Sequence, residues 1–268
     1  MRAGVVSRGV TPVHGVLVTG APRSGTSMVA QLFVDAGLHT SDQLIAASAS
    51  NPHGFVEDVR VNRLNDTVLA GMRTAGDGAD DADRLPRRLW WLESFDGAPD
   101  PAALDADEAQ ALVPPGPFVV KDPRFCHTAP LWRPLLGDHV VVVVVRSAPR
   151  VATSVRRMAE REPAFFGDLA ERPERIVDVV GRLWSSSYGA ALGWADDDTF
   201  FVDGDDASDP TLLAGLSRRI GITLSDAAVD PTLRHSRPAD DVRADRRVVD
   251  AVAVRVAADR DRLRSWRS

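Results

Sequence analysis

Residues 20–27 read GAPRSGTS, two glycines with four residues between them and hydroxyl side chains at the close. The length and end positions are those of the phosphate loop G-x-x-x-x-G-K-[ST], except that Thr26 stands where the lysine belongs. The chemistry survives that change. Successive backbone N–H groups of such a turn point inward, and a following helix adds its positive end. Arg23 supplies a cation from within the loop, and Ser24, Thr26 and Ser27 supply hydroxyl donors. The bland alternative is a glycine turn that only joins a strand to a helix.

The elements around the loop fit an oxyanion cradle. Residues 13–19 (VHGVLVT) have the β-branched, continuously apolar character of a buried strand. From Thr26 to Ala36 the apolar positions Met28, Val29, Leu32 and Phe33 recur at helical spacing, and Gly37 ends the run. Strand, glycine turn and helix open a nucleotide-binding α/β unit. Further on, NPHGF at 51–55 predicts a turn and 56–72 a helix. The stretch 74–83 (TAGDGADDAD) predicts a mobile loop, and 89–95 and 102–112 predict short helices. A second strand at 118–121 ends in Asp122-Pro123-Arg124. The valine run 140–145 has the character of a central parallel strand buried on both faces. Helices are predicted from Pro149, over 175–194 and over 248–263, with a strand at 199–202. The expected fold is α/β, a P-loop-type parallel sheet flanked by helices. It forms one domain over 13–268 after a flexible leader at 1–12.

Bulk properties narrow the function classes. The chain has 268 residues, 44% hydrophobic, enough for a large core. A net charge of −6 argues against a nucleic-acid partner, which needs a strongly basic face. No run of about 20 apolar residues occurs, so no membrane span is expected. The single cysteine, Cys126, cannot form an internal disulfide and reads as a small buried hydrophobe; a cytoplasmic location is expected. No metal-binding constellation of His, Cys and Asp stands out.

Pro22-Arg23-Ser24-Gly25-Thr26-Ser27 resembles the 5′-phosphosulfate loop P-[KR]-[ST]-G-T-[ST] of sulfotransferases that use 3′-phosphoadenosine 5′-phosphosulfate (PAPS). By that resemblance Arg23, Ser24, Gly25, Thr26 and Ser27 hold the 5′-phosphosulfate. In the same family an arginine at a strand end and a serine eight positions on hold the 3′-phosphate. Arg146, which closes the valine strand, and Ser154 have that spacing. A fixed guanidinium and a hydroxyl on the next helix converge on one phosphate through charge-assisted bonds; the alternative is a strand-capping arginine and a solvated serine. The two anion pockets are then expected a nucleotide's length apart. The closest likeness is to bacterial sulfotransferase-like proteins with an R-S-G-T-S loop, which also carry G-[FY]-x-E, L-N-D, K-D-P-R and L-W-x-x-x-Y segments. Here these are Gly54-Phe55-Val56-Glu57, Leu64-Asn65-Asp66, Lys121-Asp122-Pro123-Arg124, and Leu183-Trp184 with Tyr188, together spanning roughly 14–235.

The resemblance implies a transferase that passes the sulfuryl group of PAPS to a hydroxyl of a carbohydrate or of a glycosylated or hydroxylated small metabolite, with no metal required. Such an in-line displacement asks the protein to orient the acceptor, neutralise the leaving phosphate oxygen and remove a proton. Glu57 is the expected base, by likeness to the glutamate of carbohydrate sulfotransferases; a nearby polyanion is expected to raise its pKa. Its alternative role is that of a helix N-terminal glutamate. His53 is the second candidate base and His127 a third. Lys121 steadies the bridging oxygen or the acceptor, or forms a structural ion pair; Asp122 and Arg124 pair with each other or fix their loop. Arg234, with His235 and Arg237, resembles a late basic segment that closes over the cofactor, or is a solvated turn. Trp90 and Trp91 are a sugar platform or packing residues. Two rivals stand beside this reading. A P-loop kinase or NTPase would use Asp122 as a metal-binding aspartate, but lacks its loop lysine. A catalytically inactive nucleotide-binding protein would use the same fold.

Overall fold

A computed structural model describes residues 13–49, 51–52, 54–74, 85–225 and 242–266. The expected leader at 1–12, most of the expected loop at 74–83, His53, and Arg234 with His235 and Arg237 lie outside the described residues.

In chain order the elements are β1 (Gly15–Thr19), α1 (Thr26–Asp35), α2 (Val59–Ala70), β2 (Arg73–Thr74), β3 (Phe95–Asp96), α3 (Ala106–Ala111), β4 (Phe118–Lys121), α4 (Phe125–Trp132), β5 (His139–Val145), α5 (Ala148–Arg161), α6 (Pro163–Phe166), α7 (Pro173–Trp194), β6 (Thr199–Asp203), α8 (Pro210–Ile220) and α9 (Arg246–Ser265). The sheet order is β4-β1-β5-β6, every pair parallel; β2 and β3 form a separate antiparallel ribbon.

The pleat sorts the strand side chains into two cores. Leu17, Phe118, Val120, Val141, Val143, Val145 and Phe201 face one core with α2, α4, α5 and α7. Val16, Val18, Val119, Val140, Val142, Val144, Phe200 and Val202 face the other, against α1 and α8. The α/β sheet flanked by helices is the expected one, and the valine strand is buried on both faces as its composition requires. Among the described residues no helix is long and apolar enough to cross a membrane.

Differences from expectation are local. The helix expected over 56–72 begins at Val59, because Asp58 caps it: its carboxylate accepts from Arg60 N at 2.7 Å. Residues 87–92 form a 3₁₀ turn. Helices α4, α6 and α8 were not foreseen. Helix α4 carries Pro130 inside it, a residue that reads as a breaker. Helix α8 has a capping Asp209, Pro210 in its first turn and left-handed Gly221 at its end, all legible stop and start signals.

The strand order places the site. The connection from β1 leads to β4 on one side, and that from β5 to β6 on the other. Chain direction therefore diverges between β1 and β5, the position where open parallel sheets leave a crevice beyond their carboxyl ends. The phosphate loop leaves β1 there, and Arg146 leaves β5.

Candidate active site

The phosphate loop is clamped between β5 and the turn after β6. A Cβ on Gly20 would lie 2.2 Å from the Val144 carbonyl oxygen, and one on Gly204 would lie 2.3 Å from that of Ser24. Only glycine fits either position, so backbone packs on backbone. Tyr188 of α7 pins the same junction: its hydroxyl donates to Val144 O at 2.8 Å and accepts from Ala21 N at 3.3 Å. One turn earlier Trp184 Nε1 donates to Arg146 O at 2.8 Å. The spacing of L-W-x-x-x-Y sets both side chains on one helix face, and they brace both anion-binding segments. Gly25, in a left-handed conformation, caps α1 without a side-chain bond, so the first-turn N–H groups open toward the crevice.

Arg23 and Arg146 meet here. Arg23 Nε donates to Ser154 Oγ at 3.1 Å. The loop arginine is thus long enough to reach the helix that carries Ser154. Burial is the largest influence depressing the pKa of each guanidinium, and like charge comes next, Arg146 acting on Arg23 and Arg150 on Arg146. Cations crowded together away from water gain from an anion placed among them.

Glu57 lies behind the loop. Lys121, the last residue of β4, donates to the Glu57 carboxylate, to Phe55 O at 3.2 Å and to Ser27 Oγ at 3.2 Å. Asn62 Nδ2 donates to the second Glu57 oxygen at 2.8 Å, and Arg124 Nη1 stands 4.0 Å from it. Burial is the strongest single influence on this carboxyl and opposes its ionisation. Lys121, Arg124 and the two hydrogen bonds outweigh it and hold Glu57 below the ordinary carboxylate range. The expected upward shift is reversed, because the cations reach the carboxylate directly. Glu57 also precedes the cap of α2, so it is not a helix N-terminal glutamate.

A second layer fixes this pair. Asn65 donates to Asp122 at 2.8 Å and accepts from Thr128 Oγ1 and Trp132 Nε1, each at 2.8 Å. The other Asp122 oxygen accepts from Arg124 N at 2.9 Å and Arg124 Nη1 at 3.1 Å, and Arg124 Nε donates to Asp66 at 2.7 Å. The Asp122–Arg124 pairing is the one expected. With no solvent exposure and both oxygens engaged, Asp122 has no lone pair facing the crevice, which weighs against its use as a metal-binding aspartate. Asn62 was missed, and Asn65 entered only as part of the Leu64-Asn65-Asp66 segment with no role assigned. Their signal is two amides among Val61, Leu64, Val68 and Leu69 on the buried side of a helix.

Backbone strain marks the same place. Among the described residues the non-glycine positions with positive φ are Arg23 (69°) and Val56 (53°). The left-handed region costs a β-branched residue roughly 1–3 kcal/mol, and such strain collects at functional sites. Here one strained residue is the loop cation and the other precedes the candidate base.

The remaining candidates lie apart. His127 is buried, with both ring nitrogens lacking a hydrogen-bond partner among the described residues; burial pushes its pKa down to about 4. Cys126 is buried, its thiol pushed up to about 12 by burial. Trp91 meets Phe166 edge to face at 6.1 Å, and Trp90 Nε1 donates to Leu85 O at 3.1 Å; both tryptophans are half-buried.

No protein-family model matches the chain, and no curated protein does. Three of the solved structures to which it is similar are sulfotransferases. A sulfotransferase domain from the curacin biosynthetic pathway is 16% identical with a TM-score of 0.41, over 87% of this chain and 80% of that one. A sulfotransferase from Mycobacterium tuberculosis is 19% identical with a TM-score of 0.43, over 93% and 78%. The sulfotransferase domain of a Synechococcus olefin synthase is 16% identical with a TM-score of 0.41, over 94% and 93%.

Proposed function

We propose that the chain is a sulfotransferase that moves the sulfuryl group of PAPS to a hydroxyl of a carbohydrate or of a hydroxylated small metabolite. One observation carries the reading: Arg23 of the phosphate loop reaches Ser154 with the Arg146 guanidinium near enough to act on its charge, while the Lys121–Glu57 pair abuts the same loop through Ser27. A nucleotide with phosphates at both ends suits two adjoining cationic groups better than a triphosphate, whose charge lies on one chain.

In this reading the 5′-phosphosulfate lies on the loop amides, Arg23 and the hydroxyls of Ser24, Thr26 and Ser27, and the 3′-phosphate lies on Arg146 and Ser154. The acceptor oxygen forms its bond to sulfur as the bond from sulfur to the phosphate oxygen breaks, and Glu57 takes the acceptor proton. Lys121, shared between Ser27 and Glu57, offsets charge on the leaving phosphate oxygen. Glu57 accepts from Lys121 on one oxygen and from Asn62 on the other, and the acceptor hydroxyl would use a remaining lone pair of the carboxylate.

Calorimetric titration with 3′-phosphoadenosine 5′-phosphate, in a chelator, tests the donor assignment. Binding without metal, abolished in Arg23→Ala and in Arg146→Ala, is expected. Magnesium-dependent binding of ATP with none of the bisphosphate would favour a kinase. A mass-spectrometric screen for added sulfate over sugars, glycosylated metabolites and phenols then tests turnover. Donor binding with no sulfated product from any of them would leave an inactive nucleotide-binding protein.

A further inference from the structure

The turn after β6 carries an acidic residue aimed at the candidate phosphate site. Asp205 pairs with Arg150 Nη1, and its other oxygen stands 3.7 Å from Arg146 Nε. Arg150 lies in the first turn of α5, four residues before Ser154, so the two share a helix face. Asp205 is held in place by its own backbone: its N–H donates to Asp203 Oδ1 at 2.9 Å, and the adjoining Gly204 packs on Ser24 of the phosphate loop. Arg146 Nε is buried and has no hydrogen-bond partner among the described residues. The Arg150 and Asp205 side chains are each about a third exposed, at 32%, so a ligand in the crevice reaches both.

We propose that Arg150 joins Arg146 in holding the terminal phosphate of the donor nucleotide, and that Asp205 is the protein's own competitor for that arginine pair, hastening the nucleotide's departure. The proposal rests on the reading of this cleft as a site for a nucleotide bisphosphate. A phosphate monoester brings up to two charges and three acceptor oxygens, against one charge and two oxygens for Asp205, so it wins the guanidiniums when bound. Displacing Asp205 nevertheless costs part of the binding energy. When the nucleotide leaves, Asp205 again adds its counter-charge to that of Asp203 beside the crowded arginines. Such competition raises the dissociation rate, and product release commonly limits turnover in enzymes with buried nucleotides.

The test measures affinity and dissociation of 3′-phosphoadenosine 5′-phosphate, with inorganic pyrophosphate as a second probe, for the native chain, Asp205→Asn and Arg150→Gln. Asp205→Asn is expected to tighten bisphosphate binding on the order of tenfold, mainly through slower dissociation; Arg150→Gln is expected to weaken it by a similar factor. If Asp205→Asn weakens binding as Arg150→Gln does, Asp205 merely positions the arginines and the proposal fails. If the native chain ignores the bisphosphate but Asp205→Asn gains affinity for pyrophosphate, the competitor role stands and the donor assignment falls. Unchanged affinities for both probes overturn the proposal. Should Asp205→Asn not fold, Arg150→Gln decides alone, and undiminished bisphosphate affinity sinks it.

Discussion

The molecule contains two buried ion networks of similar make-up and different destination. At the open edge of the sheet, Asp259 of α9 accepts from Phe201 N at 2.8 Å and from Arg255 Nε at 2.8 Å, with Arg262 Nη2 at 3.0 Å. Arg255 and Arg262 in turn donate to Thr199 O at 2.8 and 2.7 Å and lie over the rings of Phe201 and Phe200 at 5.5 and 4.2 Å. One helix thus satisfies the polar groups that edge strand β6 would expose, which is how an edge is kept from pairing with another chain. The links traced here end on protein backbone. In the network around Glu57 the carboxylate is just as buried and as well paired, yet its chain runs through Lys121 to Ser27 and opens on the phosphate loop. Burial and charge pairing are common to both. Only continuity with an anion-binding loop separates the one we assign to chemistry.

The largest effect that could break this distinction belongs to Glu57→Gln. A general base contributes about 10²–10⁴ in rate, so turnover is expected to fall by that factor while affinity for 3′-phosphoadenosine 5′-phosphate stays within a few-fold. Because Lys121 and Arg124 hold the carboxyl below its ordinary range, Glu57 is ionised down to unusually low pH, and the acid limb of kcat/KM is expected below the usual carboxylate range. Turnover near that of the native chain removes Glu57 from the role. The counterpart is Asp259→Ala. Removing one partner of a buried network costs roughly 3–5 kcal/mol, which urea unfolding at pH 7 reads directly, while kcat of the folded protein is expected to change little. A variant that stays stable but loses turnover would merge the two networks into one functional unit.

Much of this contrast could be read from residue order. The strand, turn and helix around residues 15–35 and the doubly buried valine strand are local patterns, and the structure has both elements where the patterns put them. Lys121-Asp122-Pro123-Arg124 is legible as a strand end whose Asp122 and Arg124 pair with each other or fix their loop, and the structure has the pair. What the order of residues does not contain is the partner chosen across the fold. Nothing near Arg23 points to Ser154, 131 positions away, and nothing near Glu57 names Lys121. The direction of the Glu57 pKa shift depends on that choice, so reasoning from the anion alone gave the wrong sign. Asp205 was silent for the same reason: an aspartate in an acidic turn becomes a competitor only once β6 is set beside β5.

His127 supplies the smallest effect and the sharpest control, since it is buried with neither kind of network around it. Its neighbours on α4, Thr128 and Trp132, spend their donors on Asn65, whereas the His127 ring packs edge to face on Phe95 at 5.6 Å. Burial holds its pKa at about 4, against an ordinary value of 6.5. The unfolded chain therefore binds this proton more tightly than the folded one, so stability is intact above pH 6.5 and falls as pH drops toward 4. The loss amounts to about 3 kcal/mol by pH 4. Carboxylates elsewhere also titrate in acid, so the readout is the difference between native protein and His127→Leu in urea unfolding at a series of pH values. As pH falls from 6.5 the native protein is expected to lose stability relative to the variant, which lacks the titrating ring. Parallel curves would mean that the imidazole finds a partner when protonated, and that this buried group, too, belongs to a closed network.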